Sequence, residues 1–131
     1  MKKINHIGIA VKNLERASGL WEKILGLNKV GEEYVPDQNV KVAIFQIGET
    51  RVELLEPVNP ESPVGKFLDK RGEGIHHICL EVENLERTLS ELKTKDAALI
   101  DESPRIGAGG HKIAFLHPKG FNSVLIEILE E

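Results

Sequence analysis

Along INHIGIAV the side chains alternate with a period of two. Ile7, Ile9 and Val11 fall on one side and His6, Gly8 and Ala10 on the other, as a strand with two unlike faces requires. The period then lengthens. Asn13 stands where a helix cap belongs, Leu14, Ala17, Trp21, Ile24 and Leu25 follow helical spacing, and Gly26 marks the end of the helix. Three strands are predicted next, about 28–35, 40–47 and 50–55, the last two joined as a hairpin at Gly48 and Glu49. The stretch PVNPESPVGKFLDKRGEG carries three of the six prolines and is predicted to be a connection with one short helix near 64–70. The plan then repeats: a strand over 75–82, a helix capped by Asn84 with Leu85, Leu89 and Leu92 on one face, and strands near 98–100, 112–116 and 123–129. The expected fold class is α+β, with two tandem βαβββ modules in a single domain, 1–131. Module one covers about 1–56, the linker about 57–73 and module two about 74–131.

The repeat is also literal. HIGIAVKNLER, beginning at His6, returns as HICLEVENLER, beginning at His77, with seven of eleven positions identical. Farther on, RVELLE places Glu53 and LIEILE places Glu127, so the two acids lie 74 residues apart and the two histidines 71 apart. Each module supplies one imidazole and one carboxylate from matched positions. His6, Glu53, His77 and Glu127 together form a ligand set suited to a divalent first-row metal. Strand phase separates the adjacent histidines: His77 aligns with His6 and lies in phase with Cys79, whereas His76 falls with Ile78, Leu80 and Val82, the face expected to pack under the helix.

Composition narrows the field of partners. A chain of 131 residues buries roughly two-thirds of the surface that it exposes when unfolded, so it needs no staple. The single cysteine, Cys79, excludes an internal disulfide and a cysteine metal cluster, and fits a reducing, cytoplasmic setting. No apolar run is long enough to span a membrane, and the N-terminal segment is too interrupted for a signal peptide. Seventeen basic against twenty-one acidic residues give a net charge of −4 without a basic stripe, which argues against nucleic acid. The GAGG stretch precedes a strand instead of opening a helix, so it is not a phosphate loop.

With His in the first strand and Glu in the last strand of each βαβββ copy, the chain resembles the vicinal oxygen chelate superfamily over essentially its whole length. The stretches GETRVELLEPVNPESPVGKFLDKRGEGIHHICLEV and GAGGHKIAFLHPKGFNSVLIE resemble the methylmalonyl-CoA epimerase family within it. The resemblance implies a curved eight-stranded sheet whose concave face holds one divalent ion per chain, with Co2+ favoured and Mn2+, Ni2+, Zn2+ or Fe2+ also accommodated. It assigns the metal to His6, His77 and Glu127, with Glu53 at the remaining ligand position, where some relatives carry glutamine. It further implies an acyl-CoA substrate, a homodimer, and metal-assisted proton abstraction at carbon 2 through an enolate. Glu127 and Glu53 are the candidate proton carriers, the latter by symmetry, because the third strand, NVKVAIFQIG, lacks the carboxylate that one bacterial form carries there.

Two other functions compete. A glyoxalase I-type lyase acting on the glutathione–methylglyoxal hemithioacetal uses a His, Glu, His, Glu set, but the last hairpin, LHPKGFNSVLIE, and the linker both resemble the epimerase instead. A non-enzymatic ligand-binding member of the same fold generally lacks the full set of ligands. Arg105, Lys112 and Lys119 are candidates for holding substrate anions, and Cys79 and Trp21 are expected to be packing residues.

Overall fold

The computed structural model describes all 131 residues, in which eight strands, three α-helices and two short 3₁₀ turns follow one another. They are β1 (Lys3–Ala10), α1 (Leu14–Lys23), β2 (Lys29–Val35), β3 (Val40–Ile47), β4 (Thr50–Pro57), α2 (Pro63–Arg71), β5 (Gly74–Val82), α3 (Leu85–Thr94), β6 (Arg105–Ile106), β7 (Lys112–Leu116) and β8 (Leu125–Glu130). The strands lie in the order β2-β3-β4-β1 in the first half of the chain and β5-β8-β7-β6 in the second. Contacts divide the chain into two compact units, residues 6–76 and residues 77–131 together with 1–5.

In the unit of residues 6–76, β1 pairs in parallel with β4, and β3 lies antiparallel to both β2 and β4. Its core joins Val11 and Leu14 to Ala43, Phe45, Val52 and Leu54, with Trp21 packed against them and its ring 6.4 Å from that of Phe45. In the other unit, β5 pairs in parallel with β8, β7 lies antiparallel to β8, and Val82, Leu85, Leu89, Ala114, Leu116 and Ile128 form the equivalent core. A helix laid across a sheet needs its own N-terminal amides satisfied, and both units do this identically. Asn13 Oδ1 accepts from the Arg16 N–H and Asn84 Oδ1 from the Arg87 N–H, each at 2.9 Å. A glutamate on the last strand of each unit adds a second acceptor: the Leu14 N–H donates to Glu56 at 2.7 Å and the Leu85 N–H to Glu130 at 2.8 Å.

The sequence pattern and the structure part at three places. The first helix ends at Lys23, so Ile24 and Leu25 lie beyond it and are 75% and 59% exposed, despite their helical spacing. No strand forms over 98–100. The Ile100 and Asp101 amides both donate to the Phe115 carbonyl, an arrangement that breaks a regular ladder and leaves only an isolated bridge, Leu99 to Leu116. The last strand begins at Leu125 because Asn122 and Ser123 take left-handed backbone, with φ of 57° and 65°, which a strand cannot accommodate.

Candidate functional site

Parallel pairing between the first and last strands of each unit places a carboxylate beside an imidazole. In β1 the register sets Gly8 opposite Glu53, and His6 lies two residues before Gly8 on the same face. In β5 the register sets Cys79 opposite Glu127, and His77 lies two residues before Cys79. The duplication visible in the sequence is thus a duplication of register. Within residues 6–76, His6 Nδ1 lies 3.5 Å from Glu53 Oε2, and in the other unit His77 Nε2 lies 3.1 Å from Glu127 Oε1. All four side chains are buried.

An imidazole nitrogen beside a carboxylate oxygen is a donor pair that divalent first-row cations accept. Each unit presents one buried oxygen donor next to one buried nitrogen donor. The donor set fits a divalent cation, which would neutralise the carboxylates and use the imidazoles in their neutral form. His76 goes elsewhere: its ring stands 5.1 Å from Phe67 of α2 at 78°, an edge-on packing contact. Cys79 is fully buried among Ile113, Phe115 and Leu129, the packing role expected for it.

On the third strand of each unit, Ile44 pairs with Glu53 and Phe115 with Glu127, so no acid stands beside either carboxylate there. The glycine loop is a tight 3₁₀ turn over Ala108–Gly110. Gly109 and Gly110 take φ of 70° and 77°, which explains their identity without a phosphate. Of the three candidate anion-binding cations, Arg105 is engaged by Asp101 at 3.0 Å and Lys112 lies 3.9 Å from Glu86.

One buried acid had no counterpart in the sequence reading. Glu81 shares the buried face of β5 with His77 and Cys79, accepts a 2.9 Å hydrogen bond from Asn5 Nδ2, and lies 3.5 Å from Lys2 Nζ and 4.0 Å from Lys3 Nζ. The hydrogen bond from Asn5 holds its carboxyl below the usual range, helped by the two lysines and a hydrogen bond with Glu131, while burial pushes the other way. Glu81 therefore stays ionised at neutral pH and is unsuited to exchanging a proton there. The signal in the sequence is the pair of lysines at the start of the chain with Asn5 behind them, which pattern alone does not connect to Glu81, 76 positions beyond Asn5.

Comparison with known proteins places this geometry in context. Residues 5–115 match the family described as the glyoxalase/bleomycin resistance protein/dioxygenase superfamily. The chain is 39% identical over 127 residues to the mitochondrial methylmalonyl-CoA epimerase of Homo sapiens, covering 96% of this chain and 72% of that protein. It is likewise 39% identical over 128 residues to the ethylmalonyl-CoA/methylmalonyl-CoA epimerase of Cereibacter sphaeroides, covering 96% of each. Among solved structures, a variant of Streptomyces coelicolor methylmalonyl-CoA epimerase in complex with 2-nitronate-propionyl-CoA superposes with a TM-score of 0.96 at 32% identity, covering 100% of this chain and 95% of that one.

Proposed function

Because the chain belongs to the glyoxalase/bleomycin resistance protein/dioxygenase superfamily, we propose that it interconverts the (R) and (S) epimers of methylmalonyl-CoA by removing and returning the proton at carbon 2. The observation that carries this reading is the buried imidazole–carboxylate pair that each unit makes at the same point of its register. Near-full-length similarity to proteins named methylmalonyl-CoA epimerase supports the choice of substrate, as does the acyl-CoA analogue in the Streptomyces coelicolor relative.

The residues proposed to hold one divalent ion are His6 with Glu53 in one unit and His77 with Glu127 in the other, all four buried. When bound, the ion supplies positive charge against the negative charge that develops on the thioester oxygen as the proton leaves. Inversion needs proton transfer on both faces of carbon 2. On one face the proposed proton carrier is Glu53, the carboxylate beside His6, which also stands at the remaining ligand position. On the other face the proposed proton carrier is Glu127, the carboxylate beside His77. Burial of both acids excludes bulk water, which strengthens each electrostatic contact.

The ion we assign is cobalt(II), drawn from the metals that an imidazole–carboxylate set accepts, the others being Mn2+, Ni2+, Zn2+ and Fe2+. The assembly is a homodimer, for which the exposed apolar Leu20, Ile24 and Leu25 provide surface. The lone buried cysteine supports a cytoplasmic setting, and no helix is long and apolar enough to cross a membrane.

The test is deuterium uptake at carbon 2 of methylmalonyl-CoA in heavy water, with turnover of the glutathione–methylglyoxal hemithioacetal measured in parallel. Uptake accompanied by inversion supports the epimerase. Turnover of the hemithioacetal alone would replace it with the lyase, and activity on neither substrate would favour a binding protein.

A further inference from the structure

Phe115 lies at the meeting of two sets of contacts, all inside the unit that contains His77 and Glu127. Its backbone pairs with Glu127 in the β7–β8 register, and its ring stands 6.3 Å from the His77 ring at 87°. The Arg105 guanidinium lies over the same phenyl ring, 5.1 Å from its centroid. Arg105 is itself held by Asp101, with Nε 3.0 Å from Oδ2 and Nη2 3.0 Å from Oδ1, the two-pronged grip that a planar guanidinium makes on a carboxylate. Asp101 Oδ2 also accepts the Phe115 N–H at 2.8 Å, while the Asp101 N–H donates to the Phe115 carbonyl at 3.1 Å. One aspartate thus fixes both the backbone of Phe115 and the cation above its ring.

We propose that Arg105, gripped by Asp101, holds the Phe115 ring against His77 and so sets the orientation in which that imidazole meets Glu127. A ligating imidazole works only when its ring plane is fixed, because rotation about its last side-chain bond carries the donor nitrogen away from the ion. Partners outside the ligands ordinarily supply that restraint. Glu127 restrains His77 through one nitrogen. The perpendicular phenyl ring restrains its flank, and the contact between cation and ring keeps the phenyl group from tilting. Arg105 and Asp101 are positioning residues in this scheme. The unusual edge beside β7, where two successive amides converge on one carbonyl, brings Asp101 to that place.

The inference rests on the metal reading above only for its second readout. The first uses metal-free protein: nuclear Overhauser contacts between the Phe115 and His77 rings, and the His77 ring proton shifts, compared between the parent and Arg105→Gln. The second is Co2+ affinity by chelator competition, with the cobalt absorption bands as a measure of ligand geometry. Arg105→Gln should weaken the contacts between the rings, shift the His77 signals and lower Co2+ affinity roughly threefold, the scale of a partly exposed cation–π contact. Phe115→Leu should lower the affinity about tenfold and alter the absorption bands. Arg105→Lys, which keeps the charge but not the fork, should recover part of the Arg105→Gln loss. Should Phe115→Leu fail to fold, Arg105→Gln decides, because its side chain is 37% exposed and little packing is lost with it. Parental ring contacts and parental Co2+ affinity in folded Arg105→Gln would overturn the proposal, whatever its melting temperature. A parent protein that binds no Co2+ would overturn the metal reading, and the ring contacts would still decide the positioning role.

Discussion

Two histidines adjacent in sequence have different neighbours, and that difference is testable one residue at a time. His77 faces Glu127, while His76 stands edge-on to Phe67. His6→Ala and His77→Ala should each sharply reduce the divalent metal content of purified protein and remove the gain in melting temperature on adding metal, because each deletes a ligand. His76→Ala should keep the metal and lose only packing. Elemental analysis separates these outcomes, and metal loss in His76→Ala alone would reverse the assignment. The carboxylates differ in a second way. Glu53→Gln should retain the metal and still wash deuterium into one epimer, yet invert the centre on the order of a hundredfold more slowly, as loss of acid–base catalysis on one face implies. Near-parental epimerisation by metal-loaded Glu53→Gln would remove it as a proton carrier. These residues were legible in the sequence because duplication marks equivalent positions twice. Asp101 and Phe115 were not, since each occurs in one copy only and their relation depends on an irregular edge.

At the scale of elements, the identical NLER runs predicted identical helix starts, and the structure adds why they recur. Each Asn caps its own helix, while a glutamate three residues beyond Glu53 or Glu127 reaches the first amide of the helix. RVELLE and LIEILE therefore encode two acids with separate tasks, and only the first of each pair drew attention as a sequence feature. A carboxylate at a helix N-terminus is favoured by the positive end of the backbone dipole as well as by the hydrogen bond. Asn13→Ala and Asn84→Ala should each lower stability by about 1 kcal/mol in urea unfolding, with no change in metal affinity. A much larger loss for one than for the other would show that the repeated caps are not energetically equivalent. Helix ends were less legible than starts. The spacing of Ile24 and Leu25 continues the apolar stripe, yet α1 has already stopped, and periodicity cannot distinguish a buried stripe from an exposed one.

For the molecule as a whole, the dependence of stability on pH follows from Glu81. Its neighbours, Asn5 first and then Glu131, Lys3 and Lys2, stabilise the ionised form against the opposing effect of burial, so its pKa is lower folded than unfolded. A depressed carboxyl contributes stability that is fully present above the unfolded value, near 4.5, and that is lost as pH falls through the folded value. Because Asn5, Lys2 and Lys3 belong to residues 1–5, grouped with 77–131, this one carboxylate ties the start of the chain to β5. The Lys2 N–H adds a 2.8 Å bond to the Glu81 carbonyl. Metal ligands complicate acid titration, since protonated imidazoles release the ion, so the measurement belongs to metal-free protein. Glu81→Gln should be less stable than the parent in urea unfolding at neutral pH, having lost the charge that the lysines face. As the pH falls below about 4.5, the parent should lose stability faster than the variant and the gap between them should narrow. A gap that stays constant from neutral pH through that range would mean that Glu81 titrates alike in the folded and unfolded chain, and would leave the attachment of the N-terminal residues to their backbone bonds alone.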